Sequence, residues 1–153
     1  MAVFRFKLQK VLEAKTRFEE LAKREFADAQ RQLTEDRNEL ANLVKLTADF
    51  KLEMAVRRRK GSLVMNFQND LSRDWTNRRN ITSQRFKVSK AERFLEEQRQ
   101  KLVQAMKERK IMEKLKEKRF KEFKEQASKE EMKFSDEIAG QRSYFASDLL
   151  SGE

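Results

Sequence analysis

Arg57-Arg58-Arg59-Lys60-Gly61-Ser62 is the stretch that decides the fold. Four like charges, the first glycine of the chain and a serine suited to cap a following helix interrupt an apolar stripe that runs along both flanks. Towards the N-terminus, Phe4, Leu8, Val11, Phe18, Ala22, Phe26, Ala29, Leu33, Leu40, Leu43, Phe50 and Met54 recur three and four residues apart, the spacing of a coiled-coil seam. The step Phe18, Ala22, Phe26 is four plus four, which predicts one stutter in the heptad phase. Towards the C-terminus the stripe resumes with Leu63, Phe67, Leu71, Ile81, Val88, Leu95, Leu102 and Met106, and continues through Phe120, Phe123, Ala127, Phe134 and Ile138. The spacing predicts an all-α fold, a long two-helix antiparallel coiled-coil hairpin whose second helix is longer than the first. Residues 1–153 form one coiled-coil domain in this reading. Its first helix covers about 4–56, the turn about 57–62 and the second helix about 63–145, with a frayed tail at 146–153.

In an antiparallel hairpin, facing residues have a constant sum of residue numbers, and a turn at 60 and 61 makes that sum 121. Met54 then meets Phe67, Phe50 meets Leu71, Leu40 meets Ile81, Leu33 meets Val88 and Phe26 meets Leu95. Lys15, Asp36, Thr47, Asp74 and Arg78 fall on or beside the seam, where polar residues lower stability while fixing register.

The composition suits this architecture. There is no proline to break a helix, and only Gly61, Gly140 and Gly152 among glycines. Charged residues make up 41% of the chain and apolar ones 38%, enough for a narrow seam but not for a broad core. Cysteine and histidine are absent, which removes thiol nucleophiles, imidazole bases, disulfides and the usual zinc ligands. The carboxylates alternate with lysine and arginine at i, i+3 and i+4, as on a solvated helix face. No glycine-rich phosphate loop exists. The expectation is therefore a non-enzymatic chain with no catalytic residue, metal or cofactor.

No apolar run approaches the roughly 20 residues of a membrane span, and the N-terminus has no signal-peptide core, so a soluble, cytoplasmic protein is expected. The net charge of +10 favours acidic partners in general. The run from Lys107 to Lys124 holds nine basic and four acidic residues; its glutamates fit a solvated face or an acidic protein cavity better than a duplex-reading helix.

Two apolar groups point to partners. With facing residues adding to 121, everything after about residue 118 lies beyond the first helix, yet Phe120, Phe123, Phe134 and Ile138 keep the seam spacing. An unpaired stripe implies a partner, unless the segment Met1 to Phe6 covers part of it or the chain dimerises. Phe67, Leu71 and Trp75, the last the only tryptophan, lie along one side of the second helix near the turn, and aromatic anchors of this kind are typical interface hot spots.

The opening Phe4-Arg-Phe-Lys-Leu-Gln-Lys-Val-Leu-Glu-Ala-Lys, followed by Glu-Glu-Leu-Ala-Lys-Arg-Glu-Phe-Ala-Asp-Ala-Gln, resembles the start of the FliJ family of flagellar type III export proteins. Near the other end, Met112-Glu-Lys-Leu-Lys-Glu-Lys-Arg leading to Ser135-Asp-Glu-Ile-Ala-Gly-Gln-Arg is similar to that family as well. The resemblance implies a stalk-like coiled coil that sits in the hexameric export ATPase ring and stimulates it. It also implies contact with the cytoplasmic domain of the export-gate membrane protein and escort of export substrate chaperones. Phe120, Phe123, Phe134 and Ile138 would belong to the end inserted in the ring, and Phe67, Leu71 and Trp75 to the gate-facing side. The expected place is the cytoplasm, peripherally at the inner membrane of the flagellar base and held there through partners only, in service of motility and chemotaxis. The alternatives are a basic helical scaffold or nucleic-acid-binding coiled coil, or the equivalent stalk of an injectisome.

Overall fold

The computed structural model describes residues 3–61 and 63–150, with side chains as far as 140. Two helices account for nearly all of them: α1, Gln9–Arg59, and α2, Val64–Leu150, which is the longer. No strand occurs among the described residues. Contacts gather into two compact units, Phe18–Met106 and Met1–Arg17 with Lys107–Glu153.

In the unit Phe18–Met106 the chain reverses at Gly61, whose φ of 79° lies in the left-handed region that glycine enters without strain. The Lys60 amide donates to the Val56 carbonyl at 3.2 Å and the Gly61 amide to Arg58 at 3.3 Å, which closes α1. Arg57, Arg58 and Arg59 form its last turn, where cations complement the partial negative charge of a helix end. The start of α2 is secured by the Leu63 carbonyl, which accepts from the Asn66 and Phe67 amides. Ser62, the expected cap, lies outside the described residues.

Shielded positions in this unit alternate by three and four residues without a break. On α1 they include Glu19, Ala22, Phe26, Ala29, Leu33, Thr47, Phe50 and Met54; on α2, Asp70, Asp74, Asn77, Gln84, Val88, Leu95 and Gln98. The expected stutter is absent because buried Glu19 takes the seam position and neighbouring Phe18 lies in solvent. Setting shielded against shielded aligns Met54 with Asp70, Phe50 with Asp74, Leu40 with Gln84, Ala29 with Leu95 and Phe26 with Gln98. Each α1 residue thus meets α2 three positions beyond the expected partner, so Phe50 does not face Leu71, nor Phe26 Leu95. A shift of three keeps every second layer in phase, which is why the apolar residues alone fit the shorter register.

Cross-helix bonds run diagonally between neighbouring layers. The Gln84 side-chain amide donates to the Asp36 carbonyl at 3.0 Å, and Arg37 pairs with Glu92 at 2.7 Å beside the seam. Thr47, buried, donates its hydroxyl to the Leu43 carbonyl at 2.7 Å and so leaves no unpaired polar hydrogen in the interface.

In the other unit, α1 begins only at Gln9, later than the expected residue 4. Exposure alternates through the preceding segment, with Phe4 and Phe6 half-buried and Val3, Arg5 and Lys7 exposed. In an α-helix Phe4 and Phe6 would diverge by about 200°, so a non-helical backbone is needed to bring both rings to one side. Lys15 then pairs with Glu108 at 2.6 Å, and Lys116 donates to the Gln9 side-chain oxygen at 3.0 Å. At the far end α2 continues to Leu150, past the expected end near 145; residues 151–153 of the expected tail lie outside the described residues.

Candidate interaction surfaces

The first surface belongs to the unit Phe18–Met106. On α2 the positions turned to α1 are Asp70, Asp74 and Asn77, so their apolar neighbours Leu71 and Trp75 stand outside the seam. Phe67, Leu71 and Trp75 are all exposed, Trp75 by 63%. The expectation that Phe67 and Leu71 pack inside the seam is thereby corrected: Asp70 and Asp74, beside Leu71 and Trp75, take the shielded places, and the apolar side chains remain on the surface.

Arginines cover part of that apolar area. The Arg58 guanidinium lies 4.7 Å from the centre of the Phe67 ring and Arg79 5.5 Å from that of Trp75. Phe50, buried in the seam, carries Arg73 at 4.7 Å and Arg57 at 5.8 Å. Such contacts attract through the ring quadrupole and shield the apolar stems of the arginines. The two carboxylates are held from one side each, Asp70 by Arg57 and Asp74 by Arg78, both at 2.8 Å. The second oxygen of Asp74, Oδ1, is buried without a hydrogen-bond partner, a destabilising arrangement at a seam position.

The second surface lies in the unit containing Lys107–Glu153. Phe4 packs edge-on against Phe120, ring centres 5.2 Å apart at 65°, and against Phe123 at 5.6 Å and 51°. The Lys124 ammonium sits 4.7 Å from the centre of the Phe120 ring. An open pocket of about 570 Å³ between the N-terminal segment and α2 is lined by Phe4, Phe6, Leu8, Leu115 and Phe123 among others. The stripe of four therefore divides by contact: Phe120 and Phe123 pack against the chain's own Phe4, although Phe120 keeps an exposed part, while Phe134 and Ile138 are exposed without touching that ring. The N-terminal segment covers part of the stripe through Phe4; Met1 and Ala2 lie outside the described residues.

Apolar periodicity passed over Phe4 as a ring clasp, although the alternation Phe4-Arg5-Phe6-Lys7 carries that signal. It also passed over the arginines stacked on Phe50 and Phe67, which no periodicity in apolar residues reveals. Further along α2, Glu96 accepts from Arg99 and Gln100; these bonds hold its carboxyl below the usual range and raise the Arg99 guanidinium above its own. Both side chains are exposed, as on a solvated helix face. No helix among the described residues is long and apolar enough to cross a membrane.

The family described as "Flagellar FliJ protein" matches residues 4–146, which takes in both surfaces and the turn. No curated protein and no solved structure matches the chain.

Proposed function

The chain belongs to the FliJ family of flagellar proteins, non-enzymatic components of flagellar export, and from that premise we propose that it acts as a stalk that binds and stimulates the hexameric export ATPase. In the same reading it contacts the cytoplasmic domain of the export-gate membrane protein and escorts export substrate chaperones at the inner membrane. The observation that carries this reading is the family match over residues 4–146 in a two-helix chain that keeps large apolar side chains on its surface.

Phe134 and Ile138, exposed on α2, are the side chains offered to the ATPase ring, with Phe120 and Phe123 joining them where Phe4 leaves them open. Phe67, Leu71 and Trp75 form the gate-facing side. The stalk forms no catalytic site of its own; it acts by binding one conformation of the ring better than another and so biasing sites it does not touch.

ATP hydrolysis by the purified export ATPase, measured with and without this chain, tests the proposal. A rise in turnover that is lost with Phe134→Ser and Ile138→Ser together supports it. Hydrolysis by the chain alone, or an ATPase indifferent to it at every ratio, ends it. This pair is preferred to a change of all four residues, because Phe120 and Phe123 also hold Phe4 and their loss would disturb the fold.

A further inference from the structure

Eight of the ten net positive charges of this chain fall on about one quarter of its length. Residues 54–91 hold ten lysines and arginines and two carboxylates, and the stretches before and after are each within one charge of neutral. Both carboxylates are already engaged: Asp70 with Arg57 and Asp74 with Arg78, their side chains only 14% and 11% exposed. At the turn itself the run Arg57 to Lys60 therefore outweighs the acidic groups, the exposed carboxylates Asp49 and Glu53 standing behind it on α1.

Beside the run Arg57 to Lys60, three consecutive apolar side chains stand in solvent: Leu63 and Val64 each 76% exposed and Met65 72%. Successive helical residues diverge by about 100°, so Val64 and Met65 point apart, and with Leu63 they fan around the turn instead of forming a stripe. A groove on a protein reads residues three or four apart. A fluid phase that closes around a protruding turn accommodates such a fan.

We propose that this turn docks directly on an anionic lipid bilayer. Leu63, Val64 and Met65 enter the boundary between headgroups and acyl chains, and the cationic run Arg57 to Lys60 lies against the lipid phosphates. A shallow apolar insert and a polybasic cluster are the two signals that together give stable peripheral attachment where either alone is marginal. A nucleic-acid duplex would satisfy the charges but leave the three apolar side chains in water, which favours the bilayer. The inference goes beyond the export reading and does not depend on the ATPase. It replaces attachment through partners only with a contact made by the chain itself.

The test is sedimentation of the full-length protein with protein-free vesicles. One set is phosphatidylethanolamine with phosphatidylglycerol, the other phosphatidylcholine. The protein should partition onto the anionic vesicles at least about ten-fold more than onto the neutral ones, and release as salt rises. Replacing Arg57, Arg58, Arg59 and Lys60 by Gln should weaken binding about 600-fold, since each basic side chain near such a surface contributes roughly five-fold. Leu63→Ser, Val64→Ser and Met65→Ser together should weaken it about ten-fold with an unchanged melting curve, because these side chains contribute little to the seam. Lys107→Gln with Lys110→Gln, basic residues away from the turn, should bind as the parent does. Equal partitioning onto both vesicle types overturns the proposal, as does indifference to the turn variants or loss with the Lys107 and Lys110 control. Full binding by the triple serine variant, with duplex DNA displacing the vesicles, would assign the charge to nucleic acid instead.

Discussion

Two stretches of the same seam, both within the Phe18–Met106 unit, are built on opposite terms. In the middle, Ala22, Ala29, Leu33 and Val88 are buried and Phe26 and Leu95 half-buried, so most of the apolar side chains lie in the seam beside the buried amides Gln84 and Gln98. Towards the turn the shielded positions of α2 are Asp70, Asp74 and Asn77, while Val64, Phe67, Leu71 and Trp75 lie outside. The middle spends its apolar area on holding the helices together. The turn end buries Phe50 and Met54 from α1 but leaves the apolar side chains of α2 in solvent, and each stretch holds one buried oxygen with no partner, Asp74 Oδ1 here and Gln98 Oε1 in the middle. The difference leaves the apolar groups near the turn open to the contacts proposed above, at the expense of seam stability that the same residues one position over would have added.

The strongest way to break this comparison is to truncate one leucine from each stretch. Leu33→Ala should lower stability by about 2 to 4 kcal/mol, as for a buried leucine, whereas Leu71→Ala should stay within about 0.5 kcal/mol. Thermal unfolding followed by circular dichroism reads both. Equal losses would mean that Leu71 belongs to the core after all.

Asp74→Leu should run the other way and raise stability by about 1 to 2 kcal/mol, because it removes the unpartnered Oδ1 and supplies an apolar side chain at a seam position. A lower melting temperature would show that the pairing with Arg78 outweighs burial. In the unit holding the N-terminal segment, Phe4→Ala removes two aromatic contacts and should weaken the local clasp by about 1 kcal/mol. Faster amide exchange near Phe120 without a change in exchange of the Phe18–Met106 seam is the expected pattern. Arg37→Ala, which breaks the exposed pair with Glu92, should cost about 0.5 kcal/mol, and high salt should shrink even that.

The smallest effect concerns acid. The Glu96 carboxyl is lowered in the folded chain, first by its hydrogen bond from Arg99, then by Gln100. A lowered carboxyl contributes stability above its unfolded pKa of 4.5 and loses it as pH falls through the folded value. Glu96→Gln should therefore melt slightly below the parent at neutral pH, and the two curves should converge in acid. A gap that widens on acidification would contradict the assignment.

Much of this was legible in the residues. The helices, their unequal lengths and the turn around Gly61 follow from local rules, because helix propensity, the absence of proline and the one suitable glycine act within a few residues. The polar entries Thr47 and Asp74 were also visible as impurities of the seam. The register was not. Apolar periodicity chose Phe18 over Glu19 and Leu71 over Asp70, and in both cases the polar neighbour is the shielded one.

What the sequence determined by itself is thus the all-α architecture, the place of reversal and the supply of charge, since these depend on composition and on interactions between near neighbours. What only the tertiary structure decided is which residues face each other. A heptad stripe fits its partner equally well at every second layer after a slip of three. The choice between the two rests on the sum of many weak cross-helix contacts, among them Arg57 to Asp70 and Arg73 over Phe50, none of which has a signature in a single strand of letters. The same holds for Phe4: its ring reaches Phe120 and Phe123 across more than a hundred residues of chain, and no local preference can announce a contact of that separation.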